Sequence, residues 1–116
     1  MNSPGPHLYL LHIRDCCEEL IRCESLRVEG GVPASILFHA VCRNLEIIGE
    51  ASRKIGPEFR AAYPDIPWSG MNGLRNVPIH NYDGADPDLV WAIVEREIPS
   101  QLTRVRTILE TQLPGR

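Results

Sequence analysis

ASILFHAVCRNLEIIGEASRKIGP, residues 34–57, carries Leu37, Val41, Leu45, Ile48 and Ile55, with Ala40 and Ala51, at mostly three- and four-residue steps. On a helix turning about 100° per residue those side chains fall on one apolar stripe. Pro33 stands at the mouth of the segment, where a missing N–H costs nothing, and Gly56 followed by Pro57 supplies a stop signal. The spacing therefore predicts one helix over residues 34–55. Its other side reads Arg43, Glu46, Glu50, Arg53 and Lys54. Opposite charges at spacings of three and four either pair along a solvated face or line a functional groove.

Working outward, residues 7–23 hold Leu8, Leu11, Cys16 and Leu20 at mixed three- and four-residue spacing, with Asp15, Glu18, Glu19 and Arg22 between them. That pattern is an amphipathic helix. ESLRVEGGVP, residues 24–33, is read as a connection because Gly30, Gly31 and Pro33 punctuate it. EFRAAYPDIPW, residues 58–68, reads as a short helical turn and an extended link, since Pro64 and Pro67 disfavour helix before them. Asp86 and Pro87 make an N-cap and first-turn pair for a helix through Leu89, Val90, Ile93 and Val94. Pro99 must kink or split that helix, and a last one runs through Leu102, Val105, Ile108 and Leu109. No segment alternates as a strand does. The expected fold is all-α, an antiparallel bundle of four or five helices, with residues 1–116 as one domain.

Composition agrees with a globular protein. The chain has 116 residues, 43% hydrophobic and 23% charged, near the averages for folded domains. No apolar run approaches the roughly 20 residues of a bilayer span, and MNSPGPHLYLLHIRD lacks the basic and long apolar regions of a secretion signal, so the expected location is cytoplasmic, with no membrane partner. Cys16, Cys17, Cys23 and Cys42 show neither C-x-x-C nor zinc spacing and are expected to be free thiols serving as small hydrophobes. A metal hydrolase built on His39, His80 and scattered carboxylates finds no ligand spacing either. The net charge of −3 argues against coating nucleic acid through bulk electrostatics, so any RNA contact must be local.

GLRNVPIHNYDGAD, residues 73–86, concentrates Arg75, Asn76, His80 and Tyr82 around Pro78. Arginine offers a permanent planar fork for phosphate, and histidine moves protons near neutral pH. Those are the parts that metal-free phosphodiester cleavage needs: His80 moving a proton for an attacking 2′-hydroxyl, Arg75 stabilising charge on the non-bridging oxygens. Asn76 and Tyr82 add further polar groups. On one straight helix, however, Arg75 and His80 would point about 140° apart. Pro78 gives a reason for a kink, because it removes an N–H and clashes with the preceding turn, and Gly70 and Gly73 weaken the segment further. A distorted or interrupted helix is expected, its geometry set by packing of Met71, Leu74 and Ile79. The bland alternative makes Arg75 a surface charge, His80 a helix-end or core histidine and Tyr82 a core ring with a wet hydroxyl.

VCRNLEIIGEASRK, residues 41–54, and YPDIPWSGMNGLRNVPIHNYDGADPDLVWAIVEREIPSQL, residues 63–102, resemble the HepT-like branch of the HEPN domains. The likeness rests on an ordered series: RNLEIIGEA, YPDIPW, R-x4-H-x-Y and a following DLVW. It implies a HEPN-like helical homodimer, a metal-independent endoribonuclease acting as the cytoplasmic toxin of a prokaryotic toxin–antitoxin pair. The family motif falls on Arg75 and His80 as the catalytic pair, with Asn76 supporting, two copies of it facing a cleft between subunits. The implied partner is a minimal nucleotidyltransferase antitoxin that uses ATP to transfer AMP to the motif tyrosine, here Tyr82. Phosphate and bulk on that phenol would occupy the place of the RNA backbone. No cofactor of the chain's own is implied. Pro78 stands where family members more often carry an aliphatic residue, and with the acidic balance it motivates an alternative: a helical partner subunit with little nuclease activity, held or modified by the transferase. The segment around Met71 and Leu74, and the helix over residues 34–55, are the candidates for a self-complementary interface.

Overall fold

The computed structural model describes residues 5–76 and 87–112. Among them the helices are α1 (Pro6–Glu29), α2 (Ala34–Lys54), α3 (Pro57–Ala62), α4 (Trp68–Gly73), α5 (Pro87–Arg96) and α6 (Ile98–Gln112), with a 3-10 turn over Leu74–Asn76 directly after α4. No strand occurs among the described residues, so the all-α expectation holds.

The stripe on α2 is buried as its spacing requires: Val41, Leu45 and Ile48 are fully inside, Leu37 and Ala51 nearly so. Against it lies α1, presenting Leu10, Ile13, Cys17 and Leu20. The two run antiparallel: Glu19 of α1 meets Asn44 in the middle of α2, while Tyr9 and His12 near the start of α1 share a hollow with Glu50 and Lys54 near the end of α2. On another side of α1 sit α5 and α6, burying Val90, Val94, Leu102, Val105 and Ile108. Arg27 lies over the Trp91 ring at 4.8 Å and Arg106 reaches Glu18 at 2.8 Å, fixing α5 and α6 against α1.

One boundary differs from the sequence pattern. Helix α1 continues through residues 24–29, which were expected to connect; ESLRVE contains no breaker, and Arg27 binds Glu24 one turn back at 2.7 Å. The chain leaves the helix only at Gly30 and Gly31, both at positive φ (82° and 94°), where a side chain would be strained. Met71 is completely buried and Leu74 nearly so within the chain's own core, where the sequence expects them to set the geometry of their segment.

Other boundaries follow the pattern. Pro99 splits rather than kinks: α5 stops at Arg96, and α6 takes the proline in its first turn. The helix after residue 86 opens at Pro87 as expected, while its proposed cap Asp86 lies outside the described residues. No helix among the described residues is long and apolar enough to cross a membrane.

All four cysteines are free thiols, with Cys16, Cys17 and Cys23 buried and Cys42 half-buried. Burial pushes the Cys16 thiol up to about 11 and the Cys17 thiol up to about 12, from an ordinary 9.0, so both stay protonated and unreactive at neutral pH. The folded state holds these protons more tightly than the unfolded chain. Their contribution is therefore complete below pH 9.0 and is lost as pH rises toward the folded values of about 11 and 12. In urea titrations the unfolding midpoint should fall above that point, and fall less steeply in Cys17→Ala. An identical alkaline slope in the variant would contradict the burial of this thiol.

Candidate functional site

From the end of α3 the chain is steered by Trp68. Its indole N–H faces the carbonyls of Arg60 at 3.1 Å and Tyr63 at 3.0 Å, tying the proline-interrupted link to the start of α4. One turn later the buried Ser52 hydroxyl of α2 lies 2.7 Å from Asn72 Oδ1 and 3.1 Å from the Gly49 carbonyl, two acceptors for one proton. Met71 and Leu74 fill the apolar space beside these contacts. Up to Asn76 the segment is a six-residue α-helix tightening into a 3-10 turn, held by α2 on one side, while the break expected at Pro78 lies outside the described residues.

The closest approach is at Gly49. A Cβ built there would stand 2.6 Å from the Arg75 nitrogen and 2.7 Å from the Arg75 Cβ, inside any tolerable contact. Glycine in a helix interior costs roughly 1 kcal/mol relative to alanine. Here it lets the turn carrying Arg75 lie directly on α2.

Arg75 then reaches along α2 to Glu50, Nη1 to Oε2 at 3.2 Å, and Glu50 accepts a second hydrogen bond from Arg53. That bond from Arg53, reinforced by the charges of Arg53 and Arg75, holds the Glu50 carboxyl below its ordinary value, so it is ionised at neutral pH. The group is exposed and the pairs add little stability. Their effect is orientation. Among the described residues Arg75 makes one bond, to Glu50, so most of its five guanidinium donors are not used there.

Around Arg75 opens a hollow of about 560 Å³, lined by Tyr9 and His12 of α1, by Arg43, Glu46, Ile47, Glu50, Ala51 and Lys54 of α2, and by Asn76. Arg43, Glu46, Glu50 and Lys54 belong to the polar side of α2, so the structure places part of that face in a groove. The structure brings together Arg75 and Asn76 of the expected motif; His80, Tyr82, Pro78 and Ile79 lie outside the described residues. Sequence reasoning missed Gly49, Ser52, Asn72, Tyr9 and His12. A glycine interrupting an otherwise strong helical stripe was the available signal for Gly49. No group of three or more His, Cys, Asp and Glu forms a candidate metal site among the described residues.

The fold and site define an all-α protein whose second helix cradles an arginine-bearing turn at the rim of a mixed-charge hollow. The chain belongs to the HepT-like family: the model of that family, described as "Ribonuclease HepT-like", matches residues 13–108. "Putative RNase TTE0752" of Caldanaerobacter subterraneus subsp. tengcongensis is 37% identical over 113 residues, covering 97% of this chain and 99% of that protein. "Putative RNase MJ1380" of Methanocaldococcus jannaschii is 54% identical over 64 residues, covering 55% of this chain and 59% of its own length. "Probable ribonuclease HepT" of Thermococcus cleftensis is 48% identical over 61 residues, 53% of this chain and 56% of that one. No solved structure matches the chain.

Gly49→Ala should gain roughly 1 kcal/mol of helix propensity and lose about 1–3 kcal/mol to overpacking against the Arg75 backbone. Chemical denaturation should show a net loss. A net gain in stability would mean that the turn does not lie on α2 as described.

Proposed function

We propose that this chain is a metal-independent endoribonuclease in which Arg75 and His80 act as a pair on an RNA phosphodiester. The observation that supports it is the placement of Arg75, the first residue of the R-x4-H-x-Y motif, at the rim of a hollow able to admit a nucleotide, in a chain of the HepT-like family. The 2′-hydroxyl attacks the adjacent phosphorus as His80 takes its proton. Arg75 holds the charge growing on the non-bridging oxygens, and Asn76 adds an uncharged donor. The P–O5′ bond breaks as P–O2′ forms, and the 5′-oxygen leaves with a proton taken from solvent, giving a 2′,3′-cyclic phosphate end. Names of relatives as RNases agree with this class of reaction.

In the same reading the chain is a cytoplasmic toxin that works as a homodimer, two motifs sharing one cleft. A minimal nucleotidyltransferase is its antitoxin and transfers AMP from ATP to Tyr82. Adenylate two residues from His80 brings negative charge to the position of the substrate backbone, repelling it and filling its space.

Unmodified protein, verified by mass, should cleave mixed RNA in excess chelator, and His80→Ala should lower the rate by about 100-fold or more. Full cleavage by His80→Ala would remove His80 from the mechanism. With the transferase and ATP, a mass gain of one AMP should occur and should be absent in Tyr82→Phe. A gain that survives in Tyr82→Phe would remove that residue as acceptor.

A second reading is supported by Pro78 inside the motif and by the net charge of −3: a helical partner subunit, bound or modified by the transferase, with little cleavage of its own. It is distinguished by the same assay, since wild type and His80→Ala would then be equally inactive.

A further inference from the structure

The hollow holds more than the motif requires. Three cationic side chains line it, Arg43, Lys54 and Arg75, together with two carboxylates. Each carboxylate is already engaged: Glu46 faces Arg43 at 3.8 Å, and Glu50 is shared by Arg53 and Arg75. Lys54 has no ion-pair partner among the described residues, so its ammonium adds positive charge to the hollow beside the partly offset guanidinium of Arg75.

The wall contributed by α1 has a different chemistry. Tyr9 and His12, one turn apart, meet edge to face with ring centroids 6.3 Å apart and planes at 79°. Tyr9 is half-buried and packs on the core, which fixes its ring, whereas His12 is exposed. A held aromatic ring with an exposed imidazole against it is a stacking surface, and single-stranded RNA is gripped by stacking and by point charges along its backbone. Nothing in the packing of α1 against α2 needs this exposed histidine.

We propose that Tyr9, His12 and Lys54 form a nucleotide-positioning subsite in the hollow of Arg75, Lys54 holding a backbone phosphate and the Tyr9–His12 rings an adjoining base. This rests on the nuclease reading and adds residues of α1 and α2 outside the R-x4-H-x-Y motif. The subsite places the strand so that the phosphate between two neighbouring nucleotides comes to Arg75. It takes no part in proton transfer. Stacking accepts any base and the lysine any phosphate, so the subsite confers affinity for single strands without strong sequence preference.

The test uses the full 116-residue chain, unmodified by mass, and a fully 2′-O-methylated single-stranded RNA oligonucleotide, which binds but lacks the attacking hydroxyl. Affinity is measured across a salt series at about pH 8, beside cleavage of the ordinary RNA. His12→Ala should weaken binding about tenfold with an unchanged salt slope, and His12→Phe, which restores a ring, should recover most of it. Lys54→Ala should make the slope of log affinity against log salt shallower by about 0.7, the loss of one phosphate contact on a single strand. Arg104→Ala, on an exposed part of α6, should leave the slope unaltered. In cleavage, His12→Ala and Lys54→Ala should raise KM with kcat nearly constant.

If wild type binds and cleaves while His12→Ala and Lys54→Ala match it in affinity and slope, the subsite is overturned and the nuclease reading stands. An equal slope change in Arg104→Ala would also overturn it, since bulk charge alone would then explain the effect. If wild type neither binds the methylated strand nor cleaves RNA, the nuclease reading falls and takes the subsite with it.

Discussion

The site depends on the contact between the backbone of α2 at Gly49 and the backbone of the turn at Arg75. Everything nearby is arranged to keep these two surfaces together. Three residues along α2, Ser52 reaches Asn72; Met71 and Leu74 are sealed in the core; the Trp68 indole ties the incoming link at its start. These contacts use buried polar groups that are satisfied and apolar groups that are fully desolvated, the kinds that hold a short, glycine-containing segment in one geometry. Neither α4 nor the 3-10 turn is long enough to be stable alone. Their conformation comes from α2.

Electrostatics in the hollow follow from that placement. Glu50 draws Arg75 toward α2 and Arg53 toward the same carboxylate, so the guanidinium is oriented before any ligand arrives, and its charge is partly offset. An incoming phosphate would have to share Arg75 with Glu50. A net charge of −3 does not by itself make the hollow acidic, because among the described residues Lys54 has no ion-pair partner while the carboxylates are engaged. Net charge sets solubility and long-range attraction; the sign of a groove depends on which charges already have partners.

The sequence made the bundle legible wherever a long stripe spoke for it. Leu37, Val41, Leu45 and Ile48 located α2, and Pro99 located the break between α5 and α6, because periodicity and proline sterics act within a few residues. The end of α1 lies beyond residue 23 because Gly30 and Gly31 stop the helix only where they stand and ESLRVE has no breaker of its own. Met71 and Leu74 were legible as the packing residues of a weak segment, and the chain buries both in its own core. Of the site, Arg75 and Asn76 were legible through chemistry and family resemblance, and the charged face of α2 as one of two alternatives. Gly49 was marked only as a glycine within a strong helical stripe, and its partner was not legible, since the approach of two backbones 26 residues apart leaves no local pattern that points to Arg75. Tyr9 and His12 reach the hollow only through the antiparallel register of α1 on α2, which spacing within α1 cannot express.

Whether Gly49 positions Arg75 for the proposed RNA binding is tested most directly by a double-mutant cycle on affinity for the 2′-O-methylated strand. Wild type, Gly49→Ala, Arg75→Ala and the double variant would be compared, each checked for folding. Gly49→Ala should weaken binding in the wild-type background and have little effect once Arg75 is gone. Equal losses in both backgrounds would contradict it, because Gly49 would then act on RNA binding by a route that does not pass through Arg75.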